Sequence, residues 1–267
     1  MDPVISPGNE MSGSDKTVSR YGVAWQSTYR KDLWPSREEA AKSFRKSPFY
    51  KSWDPRVLDL WIKYGLRDLP TAIYPDAPNV EALPVTLTTS RPQEVWSFLR
   101  PNYDGEDEAG NPCINRSTHP DIDPESKYNY PYYRPEFRSV YLRLPMLRPP
   151  TYYIMGGTSN LGSRDFQRGK VPMTGTGAGG SGGEKEGKVD HVFLEGIGHL
   201  IPMEAPVLSA EVTSKWMGKT LAAWFKEAEA FEKSWSKVDQ KDKIMLNKKW
   251  FDHIGPPPSR SSQRNKL

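Results

Sequence analysis

Apolar positions become periodic only after about residue 30. Ser36-Arg37-Glu38-Glu39 has the form of a capping box, Ser at the cap and Glu three residues on, and predicts a helix that stops before Pro48. A second helix follows, with Asp54 at the N-cap, Pro55 at the first helical position and Gly65 at the end. Val57, Leu60, Trp61 and Tyr64 share one face, widened by Leu58 and Ile62, so something apolar should cover this helix. Val85 to Thr89 reads as a short strand and Gln93 to Leu99 as a short helix. Residues 101–135 mix Pro, Asp, Asn, Gly and Tyr without a period and read as a long loop or insertion. The clearest strand is Thr151-Tyr152-Tyr153-Ile154-Met155, closed by Gly156-Gly157, and a second runs from Val189 to Leu194. Between them, residues 174–188 are glycine-rich and read as a mobile loop. A long helix spans about 205–231, with Leu208, Val212, Trp216, Leu221, Trp224 and Phe225 as its apolar positions, and a charged segment follows.

Composition narrows this α/β pattern. Only 36% of the 267 residues are hydrophobic, yet 9 Trp, 13 Tyr and 9 Phe supply bulky core formers. With 25 Pro and 21 Gly, long helical bundles, coiled coils and collagen-like repeats are excluded as the architecture. No apolar run reaches the roughly 20 residues that span a bilayer, and Met1-Asp2-Pro3-Val4-Ile5 lacks the basic start and apolar stretch of a signal peptide. The ten basic and six acidic residues from Lys226 onward account for the whole net charge of +4. The body is therefore neutral and offers no basic face for nucleic acid. A lone cysteine, Cys113, excludes an intrachain disulfide and a cysteine metal site, and fits a reducing compartment. Asn115-Arg116-Ser117 matches a glycosylation acceptor by chance. His119, His191 and His253 have no ligand-like spacing, so neither metal nor cofactor is expected.

The chemistry-bearing segment is Val189 to Glu204. A strand ends, Gly196 and Gly198 relax the backbone, and His199 stands on the loop before a helix. Such a loop can set an imidazole at the C-terminal edge of a sheet, where it would serve as general base to a Ser or Cys nucleophile. A histidine that caps or packs under the next helix is equally open on these residues alone. Three glycine matches are decoys. Gly179-Gly180-Ser181-Gly182-Gly183 fits Gly-x-Ser-x-Gly but has no strand directly before it and no helix after it, so Ser181 lacks the strained turn that exposes a nucleophile. Gly175-x-Gly177-x-x-Gly180 lacks the helix that a dinucleotide fingerprint opens, and Gly182 to Lys188 begins a P-loop whose required Ser or Thr is Val189. Tyr128-Asn129-Tyr130-Pro131-Tyr132-Tyr133 reads as packing a loop onto the body rather than lining a substrate pocket.

Gly196-x-Gly198-His199-Leu200-x-Pro202-x-Glu204 resembles the last strand and histidine loop of α/β-hydrolases, and Pro150 to Gly157 resembles their penultimate strand. Trp34-Pro35-Ser36-Arg37-Glu38-Glu39-Ala40, Ser47-Pro48-Phe49-Tyr50-x-Ser52-Trp53-Asp54-Pro55-Arg56 and Tyr64-Gly65-Leu66 are similar to the helical cap of a fungal branch of that superfamily, which includes hydrolases of toxin biosynthesis, often peroxisomal. The resemblance spans roughly Met1 to Phe225. It implies the C-terminal part of an α/β-hydrolase, about three parallel strands with an inserted helical cap. Residues 1–20 would form the first strand and loop, 21–148 the cap and insertion, 149–232 the last two strands, histidine loop and C-terminal helix, and 233–267 a charged helical extension and disordered tail. It implies His199 as general base, with Asp2 and Asp165 as candidate acids, because Thr158-Ser159-Asn160 after the penultimate strand holds no carboxylate. The nucleophile elbow that such an enzyme carries before its cap is missing. The expectation is therefore a hydrolase of ester or acyl small molecules that is truncated and inactive as it stands, its acyl substrate restored only by upstream sequence. The alternative is a non-catalytic binding protein that uses the cap surface. Asn265-Lys266-Leu267 is close to the Ser-Lys-Leu address and implies a peroxisomal import receptor as partner, with cytoplasmic residence otherwise.

Overall fold

The computed structural model describes residues 4–5, 7, 22–76, 83–111, 113–124 and 130–257. The chain divides into two compact units after Ser214.

The first unit begins with a helical layer on a small sheet. Its helices are α1 (Val23–Tyr29), α2 (Arg37–Lys46), α3 (Pro48–Lys51), α4 (Pro55–Tyr64) and α5 (Arg91–Phe98). The segment expected as a helical cap also holds β1 (Leu33–Trp34), β2 (Leu66–Asp68) and β3 (Val85–Leu87), antiparallel in the order β1-β3-β2. The reasons for α2 are those the sequence offered: the Ser36 side chain accepts from the Glu39 amide, and the helix ends one residue before Pro48 at Ser47. Helix α4 likewise starts where Asp54 accepts from the Arg56 amide and Pro55 occupies the first turn. Helix α5 starts two residues before the expected Gln93, because Ser90 and Gln93 form a reciprocal capping box.

The face that α4 buries differs from the expected one. Leu58 is buried and Trp61 and Ile62 pack on the core, whereas Leu60 and Tyr64 are 54% and 64% exposed. The helix is apolar around most of its circumference, so the period fits two stripes equally. The choice falls to the aromatic rings that reach it: Trp61 stacks on Tyr50 and meets Phe44 and Trp53 edge-on. These rings close a core of Trp34, Phe44, Leu58, Leu66, Val85 and Leu87.

Asp54 is held down to about 2 by the Arg56 guanidinium that grips its carboxylate, helped by the backbone amide it caps. A carboxyl below its ordinary 3.8 in the folded chain stabilises the fold above that value, and the contribution is lost as pH falls from about 3.8 to 2. Helicity followed by circular dichroism should decline through this window in the native chain. Asp54→Asn should remove that part of the decline, and an identical acid profile for the variant would refute the link.

Among the described residues of 100–135 there is one short antiparallel pair, β4 (Arg100–Pro101) with β5 (Tyr132–Tyr133). Tyr133 is buried and Tyr130 is exposed, so part of the tyrosine cluster does pack, while Tyr128 and Asn129 lie outside the described residues. Helix α6 (Glu136–Arg143) follows and was not legible from the sequence.

A parallel pair follows, β6 (Thr151–Gly156) and β7 (Val189–Leu194), in register from Thr151↔Val189 to Gly156↔Leu194. Alternate side chains feed two clusters: Tyr153, Met155, Val171 and Val189 on one face, and Ile154, Leu194 and Ile201 on the other. Coverage on both faces is what parallel strands require. Of the expected first strand, Met1–Ile5, only Val4 and Ile5 are among the described residues, and they carry no strand pairing. Short helix α7 (Arg164–Arg168) and the glycine-rich loop connect β6 to β7. That loop is not the mobile segment its composition suggests. Amides of Gly175, Gly177 and Ser181 donate to the carbonyls of Leu144, Pro145 and Leu147 at 2.8–3.1 Å. Glycine is required for that lacing: a Cβ on Gly180 would stand 2.3 Å from the Gly175 carbonyl oxygen.

Helix α8 (Ile201–Glu204) leads into α9 (Pro206–Trp235), which runs across the division. The second unit holds the rest of α9 with α10 (Gln240–Ile244) and α11 (Lys248–Ile254), the last capped by the Asn247 side chain. Among the described residues no helix is long and apolar enough to cross a membrane.

Candidate functional site

The end of β7 is built to hold a loop, and the loop carries His199. Leaving β7, the chain turns at Gly196, whose φ of +72° only glycine adopts without strain. The chain leaving β6 then grips it: Gly157 N–H donates to the Leu194 carbonyl at 2.8 Å and Thr158 N–H to that of Ile197 at 3.0 Å. Gly156 lies so close beneath that a Cβ there would stand 2.1 Å from the Gly198 carbonyl oxygen. From the other side Glu204 reaches back. Its carboxylate accepts from Gly198 N–H at 2.7 Å and from Leu200 N–H at 3.2 Å, the two amides that flank His199. Helix α8 anchors this carboxylate through Ile201, which is fully buried. The cap joins in, since Asp54 N–H at the start of α4 donates to the Met203 carbonyl at 2.8 Å. Three segments thus fix the backbone on either side of His199, itself a half-buried residue.

Glu204 was visible in the sequence only as part of a motif. Its role depends on a side chain meeting two amides across a turn, which spacing alone does not reveal. Hydrogen bonds to a carboxylate contribute about 1.5–3 kcal/mol each. Glu204→Ala should therefore speed amide exchange at Gly198 and Leu200 by at least about tenfold, with Glu204→Gln, which keeps one acceptor oxygen, falling between. Unchanged exchange in the alanine variant would contradict the clamp.

The other candidates take no part in this clamp. Asp165 is exposed in the first turn of α7. Its neighbour Arg164 pairs with Glu195 and lies over the Phe193 ring. Asp2 lies outside the described residues. Ser181 is turned into its own loop, its Oγ 3.4 Å from the Gly183 amide, with a single 3-10 turn (Glu184–Glu186) after it. That is no strand-to-helix elbow. The same short turn leaves the dinucleotide and P-loop matches without the helix that would bind phosphate. Among the described residues no three His, Cys, Asp or Glu side chains are grouped to hold a metal.

No family model matches the chain. It is 35% identical to a type I acyl-CoA thioesterase of Penicillium brevicompactum, mpaH′, in an alignment covering 99% of this chain and 62% of the thioesterase. It is 26% identical to an abhydrolase domain-containing protein of Alternaria alternata, AFT2-1, over 95% of this chain and 86% of that protein. A solved structure, the peroxisomal alpha-beta-hydrolase Lpx1 of Saccharomyces cerevisiae, aligns with a TM-score of 0.45 at 14% identity, covering 81% of this chain and 47% of the other. The chain spans less than two thirds of the length of the thioesterase relative.

Proposed function

From the premise that this chain is related to the α/β-hydrolases of fungal secondary metabolism, we propose that it is the histidine-bearing part of an acyl hydrolase, with an acyl thioester as its substrate class. The observation that carries the reading is the His199 loop, clamped by Glu204 and seated on Gly156 at the C-terminal edge of a parallel pair. In this reading the nucleophile's hydroxyl proton passes to His199 as its oxygen attacks the acyl carbonyl, and the imidazolium then returns the proton to the leaving thiolate or alkoxide. A carboxylate orients the ring; Asp2 and Asp165 are the two candidates. The thioester class rests on the thioesterase relatives' names, and both an ester and a thioester suit the same steps.

The 267 residues as they stand offer no nucleophile on a strand-to-helix turn among the described residues. The chain alone is therefore expected to hydrolyse short acyl esters and thioesters at the rate of buffer. Turnover well above buffer that vanishes in Ser181→Ala would overturn this and make Ser181 the nucleophile. The terminal Asn265-Lys266-Leu267, outside the described residues, is proposed as a peroxisomal address read by an import receptor. A fluorescent protein fused upstream of the last ten or so residues should gather in peroxisomes. Diffuse fluorescence indifferent to deletion of Leu267 would exclude the address.

A further inference from the structure

The helical layer that opens the first unit holds a cavity of about 150 Å³, framed by α2, α3, β1 and β3. Its floor is apolar, since Trp34, Phe44 and Leu87 are all buried. Its wall and rim are donors: Arg30, Ser47 and Tyr50 are half-buried, and Lys31 and Ser43 are exposed. No acidic side chain lines it. Two lining residues carry buried N–H groups that meet no acceptor among the described residues. They are Arg30 Nε and, on a residue only 3% exposed, Trp34 Nε1. Buried donors are almost always satisfied, so these two call for an acceptor from outside the chain. The charges nearby leave one cation over. The Arg30 fork is spent on Glu94, at 2.7 Å and 3.0 Å, and Glu39 is taken by Lys42 at 2.7 Å. Lys31 enters no ion pair among the described residues, and its Nζ lies 5.8 Å from the centre of the Trp34 ring, which keeps the ammonium at the cavity.

We propose that this cavity binds a small monocarboxylate whose apolar body is about the size of a six-membered ring. The size follows from the volume, because a cavity of about 150 Å³ takes a benzene-sized guest. The charge follows from the lining. A carboxylate offers acceptors to Lys31 and to the unmet N–H groups of Arg30 and Trp34, while its body covers Phe44 and Leu87. A bare anion such as phosphate would answer the donors and leave the aromatic floor wet. A hydrocarbon would cover the floor and leave the donors unmet. Only the amphiphilic class satisfies both. The elements that frame the cavity do not carry His199, so binding here does not rest on the acyl-hydrolase reading.

The test is an NMR titration of the full 267-residue chain with benzoate, read from the linewidths of the ligand's ring protons. Benzyl alcohol serves as the same body without the charge, and inorganic phosphate as charge without the body. Benzoate should bind with a dissociation constant of about 1 mM or below, the range open to so small a ligand. Benzyl alcohol should bind at least about tenfold more weakly, and phosphate at equal concentration should not displace benzoate. Lys31→Gln, at an exposed position, should weaken benzoate by about fivefold and leave benzyl alcohol unchanged. Ser43→Leu, also exposed, sets an apolar side chain at the rim and should weaken both ligands by at least about tenfold. Both variants should keep the native circular dichroism, and Lys31→Gln decides the matter by itself if Ser43→Leu does not fold. No binding of benzoate, benzoate held no tighter than benzyl alcohol, displacement by phosphate, or an unchanged benzoate constant in either folded variant would each overturn the proposal.

Discussion

Gly156→Ala is expected to destabilise the first unit by about 3 kcal/mol, the upper part of the range for overpacking a tight interior, and to push the His199 loop off its seat. The added methyl would meet the Gly198 carbonyl oxygen at 2.1 Å and the Ile197 carbonyl oxygen at 2.9 Å. Both are backbone atoms, so no side chain can swing aside. The loop cannot retreat easily either, because Glu204 holds the amides on both sides of His199. Relief must come from the β6–β7 pairing, whose last register pair is Gly156 with Leu194, or from the clamp. Denaturant unfolding of the native and substituted chains measures the cost, and exchange at the Gly198 and Leu200 amides reports where the strain goes. An unchanged midpoint with unchanged exchange would show that β6 and the loop are not in contact.

The second large effect falls on turnover. In a protein that supplies the nucleophile elbow, His199→Ala should lower acyl hydrolysis by about four to six orders of magnitude, the loss that follows removal of a triad base. The size of the effect separates base from scaffold. A histidine that only caps α8 would, when removed, cost stability and at most a modest factor in rate. The clamp makes the distinction sharp. The loop backbone is held by Glu204, Gly157 and Thr158, so alanine at position 199 keeps these bonds and removes the ring. Any shift in melting should be small beside the collapse in turnover. Asp2→Asn and Asp165→Asn, compared in the same protein, identify which carboxylate orients the ring.

What the sequence revealed follows from where the physics is local. The starts of α2 and α4 were legible because Ser36 and Asp54 cap helices within their own few residues. Strands β6 and β7 were legible because β-branched and aromatic runs end in glycine. The sheet β1-β3-β2 was not, since strands of two or three residues carry no alternation to count. Nor was the buried face of α4, where two apolar stripes compete and only the rings of Tyr50, Phe44 and Trp53 decide. At the site, His199 and its glycines stood out as a pattern. The supports did not. The Glu204 carboxylate on two amides, and the Asp54 amide on the Met203 carbonyl, join residues through backbone groups that every residue possesses. The glycine-rich loop misled for the same reason: its composition reads as freedom, while its amides are spent on the carbonyls of Leu144, Pro145 and Leu147.

The central claim is that His199 is the base of an acyl hydrolase. The rate of acyl-thioester hydrolysis tests it most directly, measured for the chain joined to the part of the Penicillium thioesterase that it does not span, with His199→Ala alongside. The account predicts turnover well above buffer that falls by about four orders of magnitude or more in the variant, both proteins being equally folded by circular dichroism. Turnover that survives the loss of His199 to within about tenfold, or a folded joined protein with none at all, would contradict it.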